Sequence, residues 1–444
     1  MKKSNKISTF VLSTLFLCIF TACQPEYSVL PPVPEQKPIT DANQVVIYEC
    51  NERLFSQQKA FNTIQAYLPV LQEMGVNVLW LMPIHPRGRV SSVGSPYCIR
   101  DFCAIESEFG TKDDLRALIN DAHGRGMRVI LDWVANHTAW DHGWVSRHPD
   151  WYQEAETADE RGWNDVTFLD YSVQAVCDTM RDCMLYWVNE FGVDGFRCDY
   201  AHGVPTDFWQ MATNAVRDAR PGALFIAETS KYAYYNAGFD LLYSWNYLAG
   251  IQQLYAGNKT FKQLLTISKN EYNTTPEGKE RMRYVTSHDA SAENAPSEFY
   301  TNAEGELSAF CLTSFLGGIP MIYSSQEIGH MAKINFFDYK ILSFSKSKPV
   351  TKKMIALNQA YIASAYLRTG EQKTGTLVDD VPYIEYVKSD AALLVICNTV
   401  NSSREITYPA DFKGKTVTDL LTGETVTLAE KATLPAYGYA VYKK

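Results

Sequence analysis

The chain lacks a basic stripe. Its 41 Lys and Arg are outnumbered by 50 Asp and Glu, for a net charge of −9. That balance argues against recognition of nucleic acid through its phosphates. It also lacks cysteines at metal-binding spacing, since no C-x2-C pair occurs among its 10 cysteines. There is no internal repeat, and the single low-complexity tract is a proline-rich segment near the N-terminus. The glycines around Gly192 and Gly195 have no phosphate-loop spacing and read as strand-entry residues. What is present is ordinary globular composition, 46% hydrophobic and 20% charged, over a length that suits one large domain and a smaller one. Aromatics reach 13%. Most of these rings are expected to fill a large core, and some to stack on flat apolar ligand faces.

The N-terminus carries an export pattern. Lys2, Lys3 and Lys6 precede an apolar run over residues 7–20, and Thr21-Ala22-Cys23 follows. The run is short for a permanent spanning helix, so residues 1–22 read as a signal peptide. Small residues just before Cys23 resemble the lipobox of bacterial lipoproteins, which implies cleavage there and lipidation of Cys23; Phe20 stands where that motif usually has Leu, and ordinary signal cleavage nearby is the alternative. Residues 23–44, with Pro25, Pro31, Pro32, Pro34 and Pro38, read as an extended tether. The expected location is the bacterial cell envelope, with the chain lipid-anchored on its periplasmic or outer face. Cys50, Cys98, Cys103, Cys177, Cys183, Cys198, Cys311 and Cys397 remain. Most read as free core residues, with Cys98–Cys103 the one short-range pair to test as a disulfide.

From about 45 to 365, short apolar runs alternate with amphipathic stretches. Strands are expected at 45–50, 76–82, 127–134, 193–199, 223–229, 239–245, 282–288 and 319–325, and helices at 60–74, 112–125, 173–191, 206–219, 307–316 and 350–364. Eight apolar strands interleaved with helices predict a parallel (β/α)8 TIM barrel. Residues 138–171, rich in Trp, His and Asp, are too long for an ordinary loop and predict an excursion over the barrel mouth. Within it His142 and His148 read as surface residues, and Trp140, Trp144, Trp151 and Trp163 mostly as packing. From 366 to 444, seven short strands separated by turn residues predict an antiparallel β-sandwich.

A TIM barrel builds its site at the C-terminal ends of its strands. Asp132, Asn136 and His137 fall there on the third strand, Arg197 and Asp199 on the fourth, Glu228 on the fifth, and His288 and Asp289 on the seventh. Arg197 and Asp199, two apart, share a face of their strand. The arginine is therefore expected to keep Asp199 ionised, while desolvation holds a proton on Glu228. One ionised and one protonated carboxyl group, about 5–5.5 Å apart, are what retaining glycoside hydrolysis requires.

DWVANH (132–137), GFRCD (195–199), FIAE (225–228) and VTSHD (285–289) resemble, in order, the four signature segments of the α-amylase family of glycoside hydrolases. The resemblance extends through IPMIYSSQEIG (319–329) to LPAYGYAVYKK at the C-terminus. It implies that Asp199 is the nucleophile, Glu228 the acid and base, and Asp289 the binder of hydroxyls on the distorted ring. Arg197 would orient Asp199, His137 and His288 would bind sugar hydroxyls, and Tyr97 would stack beneath that sugar. Asp132 would be structural. Where many relatives have Lys-His after the nucleophile, this chain has His202 and Gly203; His202 is either a contact to the sugar beyond the cleaved bond or a surface residue. Calcium is implied through Asn136, Asp170 and the carbonyl of Gly203, three oxygens of the 6–8 such an ion takes. The expected activity is endo-acting α-1,4-glucan hydrolysis. Exo-acting or maltogenic hydrolysis, glucanotransfer, and glucan binding without catalysis are the alternatives.

Overall fold

The computed structural model describes residues 42–154 and 162–444. The signal peptide, Cys23, nearly all of the tether and residues 155–161 of the excursion lie outside the described residues.

Eight parallel strands close a barrel: β1 (Ile47–Cys50), β2 (Val78–Leu81), β3 (Arg128–Trp133), β6 (Gly195–Cys198), β7 (Leu224–Ala227), β8 (Leu241–Tyr243), β9 (Glu280–Arg283) and β10 (Ile319–Tyr323), with β4 (His137–Ala139) and β5 (Val166–Phe168) set apart as an antiparallel hairpin. These strands are short and almost wholly buried, as expected when one face packs inside the barrel and the other meets helices. The longer helices are α1 (Ala60–Glu73), α2 (Lys112–Gly124), α3 (Gln174–Phe191), α4 (Thr206–Ala219), α5 (Trp245–Tyr255), α6 (Phe261–Tyr272), α7 (Ala303–Leu316) and α8 (Pro349–Ala363). Local chemistry sets several ends. Thr111 and Asp114 form a capping box at the start of α2, and Thr260 with Gln263 does the same for α6. Gly195 opens β6 at φ 142°, and a Cβ there would meet the Leu224 carbonyl at 1.9 Å. Only glycine lets β6 approach β7 so closely.

Register positions the chemistry. Asp132 pairs with Arg197, and Arg197 with Ile226; Cys198 pairs with Ala227. Asp199 and Glu228, each one residue past its strand, therefore emerge side by side.

Two expectations need correction, and the one cysteine pair left to test is settled. The seventh barrel strand ends at Arg283 rather than 288, because Ser287 caps a short helix, His288–Glu293, by accepting the Ala290 N–H at 3.2 Å. His142 is buried, not on the surface. Its Nδ1 accepts the Trp144 N–H at 3.1 Å, and burial pulls its pKa down to about 4, so it is neutral. Cys98 and Cys103 are not a disulfide. The Cys98 thiol donates to the Asp165 carbonyl at 3.1 Å, inside a cluster with Ala139, Val166 and Phe168, whereas Cys103 faces Cys183. Helices α5 and α6, between β8 and β9, are additional to the helices expected.

The C-terminal region holds β11 (Glu371–Val378), β12 (Val381–Lys388), β13 (Ala391–Cys397), β14 (Arg404–Thr407), β15 (Thr416–Asp419), β16 (Thr425–Thr427), β17 (Lys431–Leu434) and β18 (Tyr439–Lys443). A six-stranded sheet, ordered β11-β12-β13-β18-β15-β16, packs on the β14-β17 pair across Val381, Leu394, Ile406, Phe412 and Val417. The other face of the large sheet meets the barrel through α7, which is buried from Gly305 to Leu316. A helix apolar all round needs cover on every side. Ser308 donates to the Asn398 carbonyl at 3.0 Å, and the Tyr386 hydroxyl to the Phe315 carbonyl at 2.8 Å.

Glu306 on α7 is buried, and desolvation, reinforced by Glu327, pushes its pKa up to about 8. In the unfolded chain it ionises near 4.3. The folded state therefore binds the extra proton, and this group costs stability increasingly as pH rises from about 4.3 to 8. Glu306→Gln, which keeps the shape and removes the titration, is expected to stabilise the protein by on the order of 4 kcal/mol at pH 8 and by almost nothing at pH 4. Chemical denaturation at the two pH values checks this.

Candidate active site

The site is organised from below by Arg197, which is wholly buried. Its Nη1 donates to Asp132 Oδ1 at 2.8 Å and to Asp199 Oδ1 at 2.9 Å, and its Nε donates to the Tyr243 hydroxyl at 3.1 Å. Glu228 Oε1 lies 3.0 Å from Nη2, as an ion pair rather than an aligned hydrogen bond. The rings of Trp80, Tyr97 and Tyr243 surround the guanidinium at 5.2–5.6 Å. Arg197 thus touches no ligand space. The expectation that it orients Asp199 holds geometrically, but it is a positioning residue and not a substrate contact, because three carboxylates and three rings enclose it.

Above this floor is a cleft of about 380 Å³ lined by Tyr97, His137, Asp199, Glu228, His288 and Asp289, together with Trp163, Tyr200 and Phe336. That volume suits a small-molecule site. Asp289 stands across the cleft, half exposed, 3.4 Å from His288 Nε2. The Tyr97 ring stacks on His288 at 5.3 Å, and its hydroxyl donates to Asp132 Oδ2 at 3.1 Å. His137 reaches the Tyr97 carbonyl through Nε2 at 3.2 Å. The structure therefore brings Tyr97, His137, Asp199, Glu228, His288 and Asp289 to one mouth. His202 is not among the lining residues. Its ring packs 4.1 Å from Tyr200 and 6.4 Å from Trp245 at the rim. Of the excursion's tryptophans, Trp163 lines the cleft, while Trp144 and Trp151 are buried packing.

The protonation pattern differs from the expectation. Burial raises the Asp199 pKa well above the usual carboxylate range, and Glu228, Asp132 and Asp289 add to it against Arg197. One cation among several carboxylates does not suffice to ionise them all. Glu228 accepts one hydrogen bond, from the Tyr200 N–H at 2.6 Å, beside its ion pair with Arg197, and Asp199 accepts one from Arg197 Nη1. Asp199 is thus the carboxylate of this site whose charge burial and its acidic neighbours disfavour most.

Two contributors escaped the sequence reading. Tyr200, left-handed at φ 41°, aims its N–H at Glu228, and its ring stands 4.9 Å from Trp163. Its room comes from Gly203, where a Cβ would meet the Tyr200 ring at 2.5 Å and Asn136 Oδ1 at 2.4 Å. Glu49, buried on β1, accepts from His288 Nδ1. A lone acid in the apolar run VVIYEC was the available signal for it. Although burial opposes it, Asp289 and Glu49 raise the His288 pKa to about 9. His288 is thus an imidazolium, donating from both nitrogens, with the Tyr97 hydroxyl 2.8 Å from Nε2.

Asn136, Asp170 and Gly203 are the candidate cation ligands. The Asn136 amide nitrogen is engaged with His137 Nδ1 at 3.1 Å, leaving Oδ1 against Gly203 in the space a side chain would fill. The Leu169 N–H, next to Asp170, bonds the Asn136 carbonyl at 3.2 Å. One Asp170 oxygen accepts the Ser172 N–H at 2.9 Å. All three donors are oxygens of the kind calcium prefers.

Residues 60–167 match the family model described as the alpha amylase catalytic domain. An α-amylase of Haloarcula japonica is 27% identical over 86% of this chain, which spans 59% of that protein's length. A cyclomaltodextrinase of Geobacillus thermopakistaniensis is 26% identical over 85% of the chain, which spans 68% of its length. Among solved structures, an α-amylase from Lactobacillus plantarum superposes with a TM-score of 0.80 at 27% identity, covering 91% of this chain and 99% of the other.

Glu49→Gln removes the carboxylate facing His288 Nδ1, so the His288 pKa is expected to fall from about 9 by at least one unit. The sign for stability follows. His288 is raised above its unfolded value near 6.5, so its contribution is full below pH 6.5 and lost as pH rises through about 9. The variant should therefore lose stability at pH 6 and little at pH 9.5. Imidazole NMR titration and thermal melts at both pH values measure this.

Proposed function

The chain belongs to the α-amylase family of glycoside hydrolases, and on that premise we propose that it hydrolyses α-1,4-glucosidic bonds of starch-like glucans with retention, in endo fashion. The observation that carries the proposal is the pairing of Asp199 and Glu228 on one buried guanidinium, with Asp289 across the cleft. Two carboxylates held that way suit the separation of about 5–5.5 Å at which one attacks and the other donates.

In the proposed reaction the glycosidic oxygen faces Glu228 and the anomeric carbon faces Asp199, with the proton on Glu228 when the bond breaks. Asp199 forms the bond to the anomeric carbon, the glycosidic bond breaks, and the Glu228 proton goes to the departing oxygen. Glu228, now a carboxylate, takes a proton from water, whose oxygen displaces Asp199. Charge building on the ring is met by Asp289, and the His288 imidazolium and His137 bind hydroxyls beside the Tyr97 ring. Trp163 and Tyr200 offer flat surfaces beyond the reacting sugar. A calcium ion held by Asn136 Oδ1, the Asp170 carboxylate and the Gly203 carbonyl would tie the excursion to the nucleophile strand. Cys23 would carry the lipid that keeps the enzyme at the envelope.

Endo action rests on the open cleft. The named relatives include a cyclomaltodextrinase as well as α-amylases, so exo-acting and transferring modes stand as the second reading. Early products from maltoheptaose are expected to span several chain lengths; glucose or maltose alone from the first minutes would exclude endo cleavage. Glu228→Gln is expected to lower hydrolysis by about 10³-fold while leaving maltooligosaccharide binding within a few-fold. An unchanged rate removes Glu228 from its role, and binding by the wild type without release of reducing ends favours a glucan-binding protein. Chelation is expected to lower the thermal midpoint by several degrees, restored by added calcium; no change on chelation removes the ion from the proposal.

A further inference from the structure

The segment that follows Tyr97 crosses the end of α3. The Trp187 indole on α3 donates to the Phe102 carbonyl at 2.7 Å, and the Phe102 ring packs against Trp133 and Trp144 at 5.4 Å. That contact fixes the backbone at 102 over one face of the helix. Cys183 is four residues before Trp187, hence one turn away on the same face. Cys103 is the residue after Phe102, and its thiol faces that of Cys183. The two differ in access: Cys103 is partly exposed and Cys183 buried.

We propose that Cys103 and Cys183 are an oxidisable dithiol whose disulfide staples the Tyr97 segment to helix α3. The inference stands on this geometry and not on the sugar-cleaving reading. The facing Cys183 thiol holds the Cys103 thiol below its ordinary range and is itself raised, with Lys112 also favouring the Cys103 thiolate. An accessible, acidified thiol backed by a buried one is the arrangement in which exchange proceeds in a fixed order. The oxidant is a low-molecular-weight disulfide such as oxidised glutathione. The Cys103 thiolate attacks one of its sulfurs and expels one thiolate. Cys183 then loses its proton and attacks the Cys103 sulfur, expelling the second. Two protein thiols become one disulfide, and the small disulfide is reduced to two thiols that take up the two protons. The bond closes a loop of about 80 residues, so it restricts the unfolded chain substantially.

Other thiols differ in ways that supply controls. Cys311 and Cys397 also face each other but are fully buried, out of reach of an oxidant acting on the folded protein. The Cys177 thiol, partly exposed, donates instead to the Tyr171 carbonyl at 3.6 Å. The test oxidises the purified, fully reduced protein with oxidised glutathione, blocks remaining thiols with iodoacetamide, and maps peptides by mass spectrometry. A peptide cross-linked through Cys103 and Cys183 is expected, abolished by dithiothreitol and by Cys103→Ser, and retained in Cys177→Ser. The thermal midpoint of the oxidised protein is expected to rise by about 3 °C or more, and not to rise for Cys103→Ser. Cys183 still open to alkylation in the unfolded protein after oxidation, whether Cys103 is free or glutathionylated, would overturn the proposal. If Cys103→Ser does not fold, the wild-type peptide map decides alone.

Discussion

A guanidinium with no solvent exposure sits at the centre of the barrel, and the arrangement of the mouth follows from the need to neutralise it. An unpaired buried charge is prohibitively costly, so Arg197 requires carboxylates at fixed positions around its fork. Asp132, Asp199 and Glu228 meet that requirement from three adjacent strands. The same convergence leaves negative charge in excess, and burial amplifies it. Asp199 is therefore pushed towards its neutral form, and the neighbouring imidazole of His288 is held charged by Glu49 and Asp289. Both responses keep a crowded acidic floor tolerable.

Much of this was legible in the sequence, because barrel strands are short apolar runs and the chemistry sits where they stop. The positions of Asp199 and Glu228 followed from that rule; Asp289 instead stands in the short helix beyond the seventh strand. Protonation was not legible. Reading Arg197 beside Asp199 two residues away gave an ionised nucleophile, but the opposing neighbours come from other strands, and their sum depends on register. Glu49 was hidden for a related reason: its partner His288 lies 239 positions on. Tyr200 was missed because its contribution is a backbone N–H aimed by a left-handed turn, which side-chain type does not announce. The overestimated length of the seventh strand traces to Ser287, whose capping role competes with the apolar pattern around it.

The floor of the cleft and its walls have different origins. Asp199, Glu228 and Arg197 belong to strand ends, whose spacing is fixed by barrel closure. Trp163 comes from the excursion, Val93 and Tyr97 from the segment after β2, and Phe336 and Phe337 from the segment after β10. Proteins named for different products share this barrel, as expected if reaction type is set by the strand ends and product length by the loops.

Helix α7, enclosed on all sides, also bears on how such chains can be cut and recombined. Its outer face is completed by the C-terminal sheet, so the barrel has no finished surface there. A truncation after the last barrel helix would leave a greasy scar and an aggregating fragment. Grafting a foreign tail onto this barrel would succeed only if α7 travelled with the tail it evolved to meet.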